Sequence, residues 1–317
     1  MRLTSRFFGW VLVGALLAPA GVPAQEPGTP FAKQLGPADI IMPHITDSKT
    51  IELPCYKSVQ EWSCEFTFPT WNVTIAGHTF DIGLTKHIFF MLLAAVLLIV
   101  VLIWTARVHA RSTARAGSPK GFAAGLEAVI LYLRNEIYVP VLGGHGGERY
   151  VPFVLTLFFF ILVCNLFGLI PYGSTPTGNI AVTATLAIIT FVVIEAAGIK
   201  ALGPSYMGTI VYWPKGHPAM KLMTVIMTPV EIVGKFTKPF ALTIRLFANM
   251  IAGHVIILAL IGLIFMMVGW LVFALAPLAL LMALFIMVLE ILVAFIQAFI
   301  FSLLAAVFIG QIRAAHH

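Results

Sequence analysis

Seven ionisable side chains stand inside or at the edges of apolar runs in this chain: Glu195, Glu231, Lys235, Lys238, Arg245, His254 and Glu290. Polar Asn165, Asn249, Gln297 and Ser302 accompany them. An ionisable group in lipid costs on the order of several kcal/mol unless it is paired or hydrated, so such residues carry function by default. Histidine and a carboxylate in an apolar setting can both exchange protons near neutrality. Arginine cannot release its proton; it is a fixed charge that repels hydronium and attracts a carboxylate.

The spacing arranges this chemistry. Glu231, Lys238 and Arg245 recur every seven residues and share one helix face. Asn249, four on from Arg245, stays near that face, whereas His254, nine on, falls on the opposite one. Glu290 and Gln297 are again seven apart, and Phe301 continues their line. Along a continuous helix His254 stands about 13 Å beyond Arg245, and Glu231 about 20 Å before it. In an antiparallel partner helix Glu290 precedes Gln297 by about 10 Å. If Gln297 is level with Arg245, Glu290 and His254 meet at one height. The layout is two proton paths, one holding a His–Glu pair and one holding Glu231, with a permanent cation between them. No membrane carboxylate of this chain faces Arg245, so its counter-ion is expected on a partner.

Elements must hold these groups at depth, and the composition says which. Of 317 residues 60% are apolar and only 10% charged, against roughly 25% charged in a soluble domain. A soluble domain, a disordered chain and a nucleic-acid binder are excluded; the net charge of +6 comes mostly from basic residues that flank apolar runs. Five runs, about 87–108, 151–170, 180–201, 222–268 and 271–312, exceed the roughly 20 residues that cross a bilayer. The expected fold is an all-α integral membrane protein of five transmembrane helices. The last two are long, hence tilted or kinked, with Pro229, Pro239 and Pro277 as candidate kinks or helix starts. Between the first two runs, Leu126, Val129, Ile130, Leu133 and Ile137 form an apolar stripe, which predicts an interfacial amphipathic helix over about 122–140.

Lys and Arg crowd the loop after the first run and the loop before the fourth, which places those loops and the C-terminus inside. The first 24 residues read as a secretory signal peptide, with a short first membrane helix as the competing reading. Residues 25–80 then form a polar extension outside the membrane, where a Cys55–Cys64 disulfide is chemically permitted. The expected location is a bacterial inner membrane. Lys235 and Lys238 are expected to stabilise the inner interface, and Glu195 to be a solvated helix end. There is no phosphate-binding loop, H-E-x-x-H or C-x-x-C motif, so no cofactor or metal site is expected.

RLFANMIAGH (245–254), EILVAFIQAFIF (290–301) and TPVEIVGKFTKPFALTIRLF (228–247) resemble subunit a of the F-type ATP synthase membrane sector. Asn165 in CNLFGLIPY and Asn179 in TPTGNIAVT resemble further family positions. Two features depart from the family pattern: Ala248 stands where glycine is usual, and the His254/Glu290 pair reverses the order of many bacterial members. The resemblance implies an ion-translocating stator subunit that is not itself an enzyme. It implies a rotating ring of c subunits, peripheral-stalk b subunits and, indirectly, the F1 sector as partners. His254, Glu290 and Asn249 would line the outer half-channel and Glu231 the inner one, while Arg245 with Gln297 would block leakage. A secondary transporter or cation–proton antiporter is the alternative, but such proteins usually carry repeats and this chain shows none.

Overall fold

The computed structural model describes residues 46–58, 61–75, 78–114, 120–143, 146–170, 173–210, 219–266 and 271–314. The first 24 residues, read above as a signal peptide, lie outside the described residues.

Six helices carry the fold: α1 (Lys86–Ala114), α2 (Phe122–Tyr132), α3 (Val151–Phe167), α4 (Ile180–Leu202), α5 (Ala219–Met266) and α6 (Leu271–Ala314). Among the described residues five helical segments are long and apolar enough to cross a membrane; those of α3 and α4 take in the adjoining short turns, running Glu148–Phe167 and Ile180–Tyr206. Backbone polar groups in hydrocarbon must be satisfied within the segment, which is why these runs are helical.

The centre is α3. Its residues Val154, Phe158, Ile161 and Cys164 are fully enclosed, and both α1 and α6 pack on it. Small residues let α6 come close: Ala294, Ala298, Ala305 and Ala306 are buried, and the Phe158 and Phe295 rings meet edge to face at 5.5 Å. By contrast, α5 presents Val225, Val230, Val233, Phe236 and Phe240 outward. With 48 and 44 residues, α5 and α6 measure roughly 72 and 66 Å, well beyond a hydrocarbon core of about 30 Å. Pro229, Pro239 and Pro277 lie inside these helices and neither start nor end them, a correction to their reading as starts. Each removes one backbone donor without breaking the helix.

The segment 122–142 also differs from its simple stripe. A π-helical turn over Leu133–Tyr138 joins α2 to a last turn at Val139–Leu142. The turn is wider than an α turn, so Tyr138 rather than Ile137 points fully inward, and Val129 is exposed. The Tyr138 hydroxyl meets Ser302 Oγ on α6 at 2.7 Å. Burial pushes the Tyr138 phenol up to about 12.

The polar extension contributes two antiparallel hairpins, β1 (Thr50–Ser58) with β2 (Glu61–Thr67) and β3 (Thr70–Ile75) with β4 (His78–Gly83). Threonines, aromatics and β-branched residues favour these strands. In register Cys64 stands opposite Leu53 and not opposite Cys55; the side chains of Cys55 and Cys64 lie outside those described. The first hairpin is tied to α1 through Lys86 N donating to Ser48 O at 2.9 Å.

Candidate functional site

The polar groups gather at the two ends of the helix bundle. At the hairpin end the chain between α3 and α4 folds back into the bundle around a short turn, Pro176–Gly178. Thr175 and Thr177 are buried there. Thr177 Oγ1 donates to Asn165 Oδ1 at 2.6 Å, and Asn165 Nδ2 donates to Ala294 O at 3.3 Å. Asn165 is thereby spent on joining the turn to α6. Thr175 Oγ1 bonds His254 Nε2.

On its other side, His254 Nδ1 lies 2.9 Å from Glu290 Oε1. The structure thus brings together the imidazole of α5 and the carboxylate of α6. Glu290 is 5% exposed, and neither of its oxygens has a hydrogen bond of good geometry among the described residues. The packing around the pair leaves little space. A Cβ at Gly253 would lie 2.7 Å from Glu290 Oε1, and one at Gly168 would lie 2.5 Å from His254 Nε2. These two glycines are there because helix and turn approach too closely for a side chain. One helical turn before His254, the Asn249 amide nitrogen is buried without a partner among the described residues.

Asn179 caps α4: its Oδ1 accepts from Ala181 N at 2.9 Å. Its amide donates to Asp47 Oδ2 at 3.2 Å, and Asp47 Oδ1 lies 2.8 Å from His87 Nδ1. Burial acts to raise the Asp47 carboxyl, but the hydrogen bonds and charge of His87, with Thr85, outweigh it and hold the group below its ordinary 3.8.

At the opposite end, α4, α5 and α6 enclose a cavity of about 200 Å³. Glu195, Glu231, Lys235, Lys238 and Gln311 line it with apolar neighbours. Lys235 Nζ lies 3.2 Å from Glu195 Oε2 and donates to Tyr206 OH at 2.7 Å. Lys238 sits over the Phe308 ring at 4.6 Å. Glu195 is therefore a paired group in the cavity wall, not a solvated helix end. Glu231 is exposed at the cavity.

Arg245 lies between the two ends. It is exposed on α5, on the same face as Glu231 and Lys238, which are exposed too. Among the described residues it has no ion pair or hydrogen bond. No hydrogen bond joins it to Gln297, which is half-buried on α6. No group of three or more metal-ligating side chains exists among the described residues.

Compared with known proteins, the chain matches the ATP synthase A chain family over residues 88–310. The chain belongs to that family. It is 50% identical to ATP synthase subunit a of Chloroherpeton thalassium over 233 residues, 73% of this chain and 67% of that one. It is 44% identical to ATP synthase subunit a 2 of Chlorobaculum tepidum over 275 residues, 86% of this chain and 72% of that one. ATP synthase subunit a of Anaeromyxobacter dehalogenans is 38% identical over 319 residues, covering 94% and 80% of the two chains. As a family member the chain is a membrane-spanning component of an ATP synthase, in the sector concerned with proton transport. Membership gives a context to the two polar ends and to the exposed arginine between them.

Sequence reasoning missed Thr175, Thr177, Gly168, Asp47 and His87 at one end; at the other it singled out Glu195 but read it as a solvated helix end, whereas it pairs with Lys235. The threonines carry no periodic signal, because they lie in a turn. Glu195 did have a signal: a carboxylate within an apolar run, five residues before Lys200.

Proposed function

We propose that this chain is the stator subunit that offers a rotating ring of c subunits two offset proton half-channels. Peripheral-stalk b subunits and the F1 sector complete the assembly. The hairpin end faces the extracytoplasmic side of a bacterial inner membrane, and the C-terminus is cytoplasmic, in line with the placement of Lys and Arg. Protons arriving from outside pass Asn249, His254 and Glu290 and protonate a carboxylate of the ring. Asn165 and Asn179 hold the walls of that path. The neutral carboxyl then rotates through lipid and releases its proton into the cavity at Glu231.

One observation carries this reading. His254 and Glu231 are 23 residues apart on one uninterrupted helix, or roughly 35 Å. Arg245 lies between them, outward-facing and unpaired among the described residues. A fixed cation between two proton-exchanging regions keeps them from joining, because it repels a hydrated proton. It also gives an arriving carboxylate a reason to lose its proton there. The exposed apolar face of α5 suits a lipid or ring surface.

The test is Arg245→Ala in the whole synthase. ATP synthesis driven by a proton gradient falls to background, while the vesicles leak protons passively. Synthesis at the wild-type rate would end the assignment.

A further inference from the structure

Asp47 and His87 precede residue 88, where the family match begins. Asp47 belongs to the polar extension, far in sequence from every membrane residue discussed above. Yet its carboxylate is used on both sides. One oxygen takes the His87 backbone N–H at 3.3 Å and lies 2.8 Å from its imidazole; the other accepts from the Asn179 amide at 3.2 Å. His87 lies in the first turn of α1 and Asn179 caps α4, so a single carboxylate links two membrane helices.

The linkage reaches further through the turn. Asn179 N donates to Pro176 O at 3.1 Å, and Gly178 N donates to Thr175 O at 2.9 Å. Thr175 and Thr177 hold His254 and Asn165. Asp47 is about one-fifth exposed and His87 almost fully buried, so the link is shielded from competition by water. Lys86 is buried beside it, and Lys86 N is held by Ser48 O. These contacts make residues 46–48 a strap across the end of the bundle.

We infer that Asp47 is a positioning residue for proton transfer through the outer half-channel in either direction: the extension clamps the α3–α4 turn through Asn179, and the turn in turn orients His254 through Thr175. Asp47 exchanges no proton in the cycle. Its carboxylate is held below the ordinary range, which suits a permanent acceptor rather than a carrier. The inference rests on the outer half-channel reading proposed above.

The test is a double-mutant cycle in the whole synthase, in inverted membrane vesicles matched for amount of complex, with ATP-driven proton pumping and its dependence on lumenal pH as readouts. Lumenal pH in such vesicles is outer pH. Asp47→Ala lowers pumping about fivefold, the factor that about one net hydrogen bond commands. Its pH profile coincides with that of Thr175→Val. The double variant is no worse than Thr175→Val alone, because the two residues act in series. Asp47→Glu recovers most of the rate, which also shows that the assembly tolerates change at this position. Independent, multiplicative losses, or an Asp47→Ala profile unlike that of Thr175→Val, overturn the clamp. A silent Thr175→Val beside a dead Glu290→Gln overturns it too, while leaving the outer half-channel in place. Silence of Glu290→Gln itself would sink the half-channel reading instead.

Discussion

The two ends of the bundle solve opposite problems. At the hairpin end the polar groups are largely buried, and contacts between them join the extension, α3, the α3–α4 turn, α5 and α6, while the Glu290 oxygens and the Asn249 amide nitrogen have no hydrogen bond among the described residues. Two glycines there have no room for a methyl group. At the other end acidic and basic side chains line a cavity of about 200 Å³, and Gly234 has nothing within 4 Å of an added Cβ. A tight site determines geometry and suffers from any displacement. An open charged site tolerates change, because water can replace a lost partner. Under the proposed function, the enclosed end is the one that controls the proton path and the open end the one that exchanges freely.

The strongest challenge to this contrast is the His254/Glu290 pair. Each single exchange, His254→Glu or Glu290→His, places two like groups in the enclosed site and lowers gradient-driven synthesis at least about tenfold. The double exchange restores one imidazole and one carboxylate and exceeds both singles in the same assay. A double variant worse than either single would show that the contact is incidental.

Methyl groups probe the same difference sterically. Gly168→Ala forces Thr175 and His254 apart at a cost of about 1–3 kcal/mol and lowers pumping severalfold. Gly234→Ala meets open space and leaves the rate within about twofold. Equal losses would erase the distinction between a tight and an open end.

Charge removal at the open end has a smaller effect. Lys235→Met strips Glu195 of its ammonium partner and slows ATP-driven proton pumping about two- to fivefold. Pairing it with Glu195→Gln returns part of that loss, since a half-buried charge left without its partner costs more than an absent pair, although water at the open cavity keeps the difference small. Failure of the second change to help would show that Lys235 acts alone.

The smallest effect is an acid transition of the strap. The folded-state pKa of Asp47 is depressed, so the stability it adds is complete above the ordinary value of 3.8 and is lost as pH falls through the lower folded value. Protease cleavage within 46–83 should be flat from neutrality to about pH 4 and rise below it. In Asp47→Asn that rise disappears. A transition near neutral pH would assign the link to another group.

Much of this was readable from residue types. A run of about 20 apolar residues in a chain this poor in charge has to be a helix across lipid, because nothing else satisfies the backbone there. The seven-residue spacing put Glu231, Lys238 and Arg245 on one face, and all three are exposed together on α5. The same arithmetic set His254 level with Glu290, and they touch. Helical periodicity is a local property, so it survives without knowledge of the neighbours.

Tertiary structure alone decided the rest. Periodicity names the faces of a helix but not which face meets which. It could not pair Lys235 with Glu195 across 40 residues, nor see the π turn that swings Tyr138 onto Ser302. A threonine in a turn has the same sequence signature whether it faces water or is folded against a histidine. Thr175 and Asp47 gain their importance only because the chain returns, from 79 and 132 residues away, to His254 and Asn179. Such long-range returns are settled by how helices pack, and packing is a property of the whole assembled surface rather than of any segment of it.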